Sequence, residues 1–220
     1  MSAASEFALY GYFRSSAAFR VRIALNLKGL AAELRFVHLL KEGGQQHSDA
    51  YKAVNPQELI PTLVHDGQAI GQSLAIIEYL EEVVPRPALL PHDPAARARV
   101  RQIALAIACD IHPLNNLRVL QYLRHKLGAD DAARADWQQH WVSTGFSALE
   151  TMLARDAQTG RFCHGDAPGL ADVCLIPQMA NARRIGMDLS LYPVLQRIEE
   201  AAYGLPAFTA ARPENQPDAE

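Results

Sequence analysis

Two adjacent hydroxyls, Ser15 and Ser16, are the first residues whose type and position bear on chemistry. They follow Tyr12–Phe13–Arg14 and precede Ala17–Ala18–Phe19–Arg20–Val21–Arg22, where a helical period sets in. Hydroxyls at a helix start lie beside unpaired backbone N–H groups and the positive end of the helix dipole, a place that holds an anion. Farther along, His112 and Asn115–Asn116 flank Pro113. They either satisfy backbone groups freed by a kink or line a pocket wall. Arg183–Arg184 closes an apolar run. Such arginines usually face solvent, and one turned inward would clamp a carboxylate with two prongs. Cys163–His164 has no partner ligands at metal-site spacing.

The elements that carry these residues fall into two compositional regions. Phe7–Tyr10 reads as a strand. Val21, Ala24 and Leu25 form the apolar face of an amphipathic helix, with Arg20, Arg22 and Lys28 at other positions and Gly29 as its stop. Leu34–Leu39 reads as a second strand, so the opening is a parallel strand–helix–strand unit. Lys41–Gln46 is a polar turn whose paired glycines either carry backbone near a ligand or form a plain loop. Leu59–Val64 and Gln68–Ile70 flank Asp66–Gly67, a strong hairpin signal. Gln72–Ser73 opens another helix, with Leu74, Ile77 and Leu80 apolar and Glu78, Glu81 and Glu82 polar. Pro61 precedes the hairpin. Unaided sequence favours trans there, because only about 5% of X–Pro bonds in folded proteins are cis.

Pro85–Pro94 holds four prolines in ten residues, which neither helix interior nor central strand tolerates. It reads as a linker, with Leu89–Leu90 available to dock. Beyond it, helical patterns dominate: 95–111, 117–127, 132–155, 170 onward and 195–203. A break is expected at Pro113. Trp137 and Trp141 read as core or interface, and Phe162 as a buried plug in a loop. Asp172 is placed to use its carboxylate in a first helical turn. The segment from Pro206 reads as frayed or laid on the surface.

The chain has 220 residues, 49% of them hydrophobic, a net charge of -3 and a pI of about 6.2. That is enough apolar content for one large or two smaller domains, and the charge points to neither nucleic acid nor a lipid surface. Three cysteines, Cys109, Cys163 and Cys174, do not make a disulfide framework and fit a reducing compartment. The polar residues 1–6 do not read as a signal peptide, and no run approaches a membrane span. The expectation is a cytoplasmic protein.

Several strings together resemble the zeta-class glutathione transferases, the maleylacetoacetate/maleylpyruvate isomerase group. They are Tyr12–Ser16, Val21–Leu25 with Lys28–Gly29, Asn55–Pro56 through Ile60–Leu63, Gln72–Glu82, Asp110–Asn116 and Pro177–Ala182, in order from about residue 7 to about 219. The resemblance implies a thioredoxin-like α/β N-terminal domain over 1–86, a linker over 87–94 and an all-α domain over 95–220 that forms the substrate-side wall. It implies a homodimer, glutathione as cofactor and a small dicarboxylic keto-acid as substrate; the ligand spacing already points to no metal. Ile60 would present backbone to the cysteinyl part of glutathione, with Pro61 cis. Gln72 and Ser73 would hold its γ-glutamyl carboxylate and Gln46 its glycyl end. Arg20 would belong to the cofactor site and hold it through an ion pair, His112 and Asn116 on the cleft wall would touch cofactor or substrate, and Arg184 would meet a substrate carboxylate.

The activity so implied is cis–trans isomerisation of a maleyl-keto acid by reversible thiolate addition, with maleylacetoacetate favoured. Maleylpyruvate isomerisation, general glutathione conjugation and non-catalytic glutathione binding are the alternatives. Ser15 is the expected thiolate donor and Ser16 a second donor or the helix cap; Tyr10 and Tyr12 are rivals because tyrosine fills this role in other transferase classes. Two positions depart from the family pattern. Ala17 stands where Ser-Ser-Cys-x-x-Arg has cysteine, which leaves the nucleophile to bound glutathione and adds weight to the maleylpyruvate branch. Gly169 stands where Ser or Thr usually caps the helix bearing Asp172.

Overall fold

The structure is a computed structural model that describes residues 7–220, so the polar start 1–6 lies outside the described residues. Its chain forms two compact units. One holds the described residues up to Leu89 together with Gly204–Glu220, and the other is Leu90–Tyr203. The sequence reading ran the second domain on to 220; the last seventeen residues instead pack with the first unit. They do so because their apolar residues need cover: Phe208 and Ala211 are buried within that unit's tail.

The first unit follows strand, helix, strand, link, hairpin, helix. Its elements are β1 (Phe7–Gly11), α1 (Ser16–Lys28), β2 (Ala32–Phe36), a short α2 (Asp49–Lys52), β3 (Thr62–His65), β4 (Gln68–Gly71) and α3 (Ser73–Val83). The sheet order is β2-β1-β3-β4. β1 runs parallel to β2 with Leu9 opposite Leu34, and antiparallel to β3 with Leu9 opposite Leu63. β3 and β4 close the expected hairpin through Asp66 and Gly67, both at positive φ. Asp-Gly supplies the left-handed pair such a turn demands. β2 begins two residues earlier than the apolar run suggested, because its register is set by pairing with β1 and not by its own hydropathy.

The charges of α1 do not lie on a solvated face. Arg20, Arg22 and Lys28 are all buried, as is every residue from Ala17 to Leu25. Lys28 Nζ donates to Glu81 Oε2 of α3 at 2.7 Å, to the Val84 carbonyl at 2.7 Å and to the Pro87 carbonyl at 3.1 Å. Glu81, one of the polar positions of α3, is buried and takes the Leu89 N–H on both carboxylate oxygens at 3.0 Å. This buried cluster stitches the ends of α1 and α3 to the proline-rich segment. Ile60–Pro61 is cis, as the resemblance implied, and Arg86–Pro87 is cis as well.

The second unit is helical: α4 (Pro94–Leu105), α5 (Leu117–Leu127), α6 (Asp131–Arg155), α7 (Leu170–Arg184) and α8 (Pro193–Tyr203); a short α9 (Pro206–Thr209) belongs to the returning tail. The expected break before Pro113 takes the form of a widened turn. Ala106–Ile111 is π-helical, and His112 N–H donates to the Ile107 carbonyl five residues back. A wider turn moves the preceding carbonyls away from the proline ring, which would clash in a regular helix. Phe146, Leu149 and Leu153 of α6 are buried, whereas Trp137 and Trp141 are half-buried and meet edge-on. Phe162 is buried as the expected plug. Asp172 reaches back to accept the Gly169 N–H at 2.9 Å and the Cys163 N–H at 2.8 Å, so the helix start is held without a capping side chain at Gly169. Burial pushes the Asp172 carboxyl upward against these hydrogen bonds. No helix among the described residues is long and apolar enough to cross a membrane.

Replacing Lys28 with Met is expected to lower stability by about 3–5 kcal/mol, because it leaves Glu81 buried without its cation. The paired replacement Lys28→Met with Glu81→Leu should recover most of that loss. Urea unfolding of the two variants checks both statements.

Candidate functional site

The first unit gathers Ser15, Ser16, Arg20, Gln46, Ile60, Gln72 and Ser73. Ser15 is the cap of α1: its Oγ accepts the Ala18 N–H at 3.2 Å, and its backbone is extended, with φ -71° and ψ 114°. Ser16 is therefore the first helical residue and not the cap. A capping hydroxyl uses a lone pair, so the Ser15 proton stays available to a second acceptor. No acidic residue sits in the first turn of α1 to offset the positive end of its dipole. Both serines are partly exposed, while Ala17 behind them is buried.

The rival tyrosines are differently placed. The Tyr10 hydroxyl accepts from Arg35 Nη1 at 2.8 Å on β2. Tyr12 is buried against Phe13 and His38, and that burial pushes its hydroxyl above the ordinary tyrosine range. A hydroxyl held more firmly in its neutral form can still donate, but Tyr12 is buried, whereas Ser15 is partly exposed.

Arg20 is almost fully buried on α1, and its Nη1 donates to Ser73 Oγ at 3.3 Å. Ser73 is the first residue of α3. The residue before it, Gln72, has φ 65°, and no side chain caps this helix. Its opening N–H groups therefore face outward without a capping oxygen, in contrast to α1, α4, α5 and α6. Gln72 donates its side-chain amide to Gln57 Oε1 at 3.0 Å, which orients that side chain along the link before β3.

Ile60 lies just before β3, whose pairing begins at Thr62. Two side chains from α2 and its exit fix this approach. The Tyr51 hydroxyl donates to the Leu59 carbonyl at 2.6 Å, and Asn55 Nδ2 donates to the same carbonyl at 2.8 Å and to Thr62 Oγ1 at 2.9 Å. Gln46 sits in a 3₁₀ turn over Gln45–His47 and is buried. Among the described residues its Oε1 has no hydrogen-bond partner. Gly44, at φ 103°, carries the chain past this amide, and a Cβ there would lie 2.6 Å from Gln46 Nε2. The paired glycines thus serve a close approach as well as a turn.

The second unit holds the remaining three residues. His112 is half-buried at the end of the π turn, and Asn116 caps α5 by accepting the Arg118 N–H at 3.1 Å. Of the two arginines ending α7, Arg183 pairs with Glu199 of α8, and Arg184 is exposed on the last turn. The sequence reading missed Tyr51 and Asn55 as organisers of the Ile60 approach. Asn55–Pro56 entered the sequence reading as part of the resemblance, and the fold reveals the use of the Asn55 side-chain amide.

Residues 9–88 match the family "Glutathione S-transferase, N-terminal domain". A Vibrio cholerae protein named "Probable maleylacetoacetate isomerase" is 54% identical over 96% of this chain and 97% of its own length. The chain belongs to the zeta-class glutathione transferases, the maleylacetoacetate/maleylpyruvate isomerase family. A bacterial zeta-class maleylpyruvate isomerase solved in its holo form superposes with a TM-score of 0.94 at 49% identity, covering 97% of this chain and 100% of that one. A maleylacetoacetate isomerase from Methylobacterium extorquens AM1, with malonate and GSH bound, superposes with a TM-score of 0.93 at 44% identity, covering 97% and 99%. The thioredoxin-like N-terminal domain and the all-α region that follows match the transferase fold.

For a zeta-class chain, the Ile60 approach is the segment whose backbone the resemblance assigns to ligand. Asn55→Ala removes the donor to Leu59 and Thr62 and is expected to cost about 2 kcal/mol of stability, as buried acceptors lose a partner. Urea unfolding measures it.

Proposed function

We propose that this chain is a glutathione-dependent cis–trans isomerase of a maleyl-keto acid, with maleylacetoacetate as the favoured substrate. The observation that carries the reading is Ser15: its oxygen caps α1 through the Ala18 N–H, and its proton remains for an anion at the positive end of that helix. The first unit also fits a γ-glutamyl tripeptide. The uncapped start of α3 behind Gln72 suits a carboxylate, with the buried Arg20 cation held on Ser73 beside it. The Ile60 backbone ahead of β3 suits an extended peptide, and the unpartnered Gln46 Oε1 suits an N–H from its far end.

When bound, glutathione supplies a thiolate that adds reversibly to the conjugated alkene, so that the bond rotates and the trans acid is released. The protein's part is to hold negative charge in place. Lowering a thiol pKa by two units takes roughly 3 kcal/mol of selective stabilisation. One charge-assisted hydrogen bond from Ser15, about 1.5–3 kcal/mol, together with the α1 terminus, about 0.3–1 kcal/mol, reaches that figure. Ser16, one residue on, offers a second hydroxyl at the same terminus. Arg184 is the proposed dock for a substrate carboxylate, and His112 and Asn116 are proposed contacts on the second unit. Asn116 already spends its carbonyl oxygen on the α5 cap, so its amide group is the part available to a ligand.

A homodimer is part of the reading, supported by family membership. Maleylpyruvate is the second substrate reading. What favours it is Ala17, buried where the family motif carries cysteine, so that no protein thiol stands beside Ser15 and Ser16.

A maleylacetone-type substrate should lose its cis absorbance only when glutathione is present, with one glutathione serving many turnovers. Ser15→Ala should slow this by about tenfold or more, the kinetic equivalent of about 1.4 kcal/mol. Full activity without glutathione would sink the reading, and consumption of one glutathione per turnover would replace it with conjugation. Arg184→Ala should raise KM for the dicarboxylic substrate by about tenfold while glutathione affinity stays unchanged, as loss of a charge-assisted contact predicts. Parallel assays on maleylacetoacetate and maleylpyruvate decide the substrate.

A further inference from the structure

The loop that delivers Ser15 is held from a distant part of the chain. Tyr12–Ser15 forms a turn in which the Ser15 N–H donates to the Tyr12 carbonyl at 3.0 Å. The Phe13 N–H points out of this turn and donates to Asp218 Oδ2 at 2.9 Å, across 205 residues of sequence. On its other side, the Phe13 carbonyl accepts from Arg22 Nη2 at 3.1 Å, and the Tyr12 carbonyl from Nη1 at 3.5 Å. The same guanidinium is oriented from the tail: Arg22 Nε donates to the Ala211 carbonyl at 3.0 Å. Asn26 Nδ2 donates to the Ala207 carbonyl at 2.9 Å, one turn farther along α1.

The end of this segment reaches a second loop. Glu220 pairs with Lys41 and lies 3.6 Å from His38 Nε2. His38 in turn organises the approach to Gln46: its carbonyl accepts the Gln45 N–H, and its ring accepts the Lys41 N–H, both at 2.9 Å. All these residues belong to the first unit. A buried guanidinium whose donors meet backbone carbonyls, and a carboxylate on the Phe13 amide, leave the loop little freedom to shift.

We propose that Ala211–Glu220 is a strap that sets the position of the Ser15 loop, with Asp218 as a positioning residue for thiolate stabilisation. The proposal rests on the reading of Ser15 as the thiolate donor. Asp218 does not touch the anion. It holds the Phe13 amide, so that the Ser15 hydroxyl presents its proton in one place. Preorganisation of a donor matters because a hydrogen bond weakens steeply with small errors of distance and angle. The returning tail thereby adds, through Asp218, a hydrogen bond that fixes the backbone of the four-residue loop Tyr12–Ser15.

The test compares the full-length protein with Asp218→Ala, Asp218→Asn and Ser15→Ala. Amide exchange at Phe13 and Ser15 is read without ligand, and the ultraviolet absorbance of the bound glutathione thiolate is read against pH. Asp218→Ala should exchange about tenfold faster at Phe13, a local opening, while the core strands keep their protection. It should also move the bound thiol's midpoint up by about half a pH unit, with glutathione still bound. Asp218→Asn retains an oxygen acceptor and should follow the unsubstituted protein in both measurements. Ser15→Ala should move the midpoint farther than Asp218→Ala. If Ser15→Ala moves the midpoint and Asp218→Ala does not, the strap is overturned and the Ser15 reading stands. An unmoved midpoint in Ser15→Ala overturns both. Loss of protection across the whole unit in Asp218→Ala would reduce the residue to general stability and overturn its positioning role.

Discussion

A charged group taken fully out of water must be met by partners, and that constraint organises the first unit. Lys28 ends α1 with its ammonium wholly enclosed, and it is met by Glu81, Val84 and Pro87. The contact fixes the far ends of α1 and α3 against each other. Their near ends meet through Arg20 and Ser73. Two helices pinned at both ends cannot slide, so the capped start of α1 and the uncapped start of α3 keep one spacing. Those two starts are the places where anionic groups are expected to bind. A buried pair seldom adds much net stability over an apolar one, but it penalises every arrangement that leaves a charge unmet. Here the penalty selects register.

The helix starts show how capping divides labour. Ser15 caps α1 and retains a proton to donate. α3 has no capping side chain and leaves its first N–H groups to whatever arrives. In the second unit, Asn116, Asp130 and Asp93 cap their helices in the ordinary manner, and Asp172 reaches back from the first turn of α7. A helix closed by its own carboxylate is finished structurally. In the first unit, the uncapped start of α3 and the start of α1, closed by a hydroxyl with a spare proton, are the two proposed to meet ligand.

Much of this was legible in the residues. Asp66–Gly67 announced its hairpin because few residues enter a left-handed pair cheaply. Pro113 announced a disruption because its ring and missing N–H are incompatible with the turn before it. The hydroxyls before Ala17 announced a helix start. The exact cap, Ser15 rather than Ser16, was not legible, since both residues have the right chemistry and the choice depends on which backbone is extended. The edges of β2 were also hidden, because strand limits follow the partner's register. The burial of Arg20, Arg22, Lys28 and Glu81 was hidden for a related reason. Charge alone does not say whether a partner 53 residues away will meet it inside.

The sequence by itself therefore determined the order of elements, the two compositional regions and the class of chemistry, because these rest on local periodicity, turn residues and motif spacing. Tertiary structure decided which charges are interior, which serine caps, and where the last residues go. Gly204–Glu220 carries prolines and acids that read as a surface tail, yet Phe208 and Ala211 bury in the first unit, and Asp218 meets the Phe13 amide. Contacts between residues hundreds of positions apart leave no periodic trace in either segment. Only folding brings the acceptor to the amide, and with it the loop that carries Ser15 acquires its fixed place.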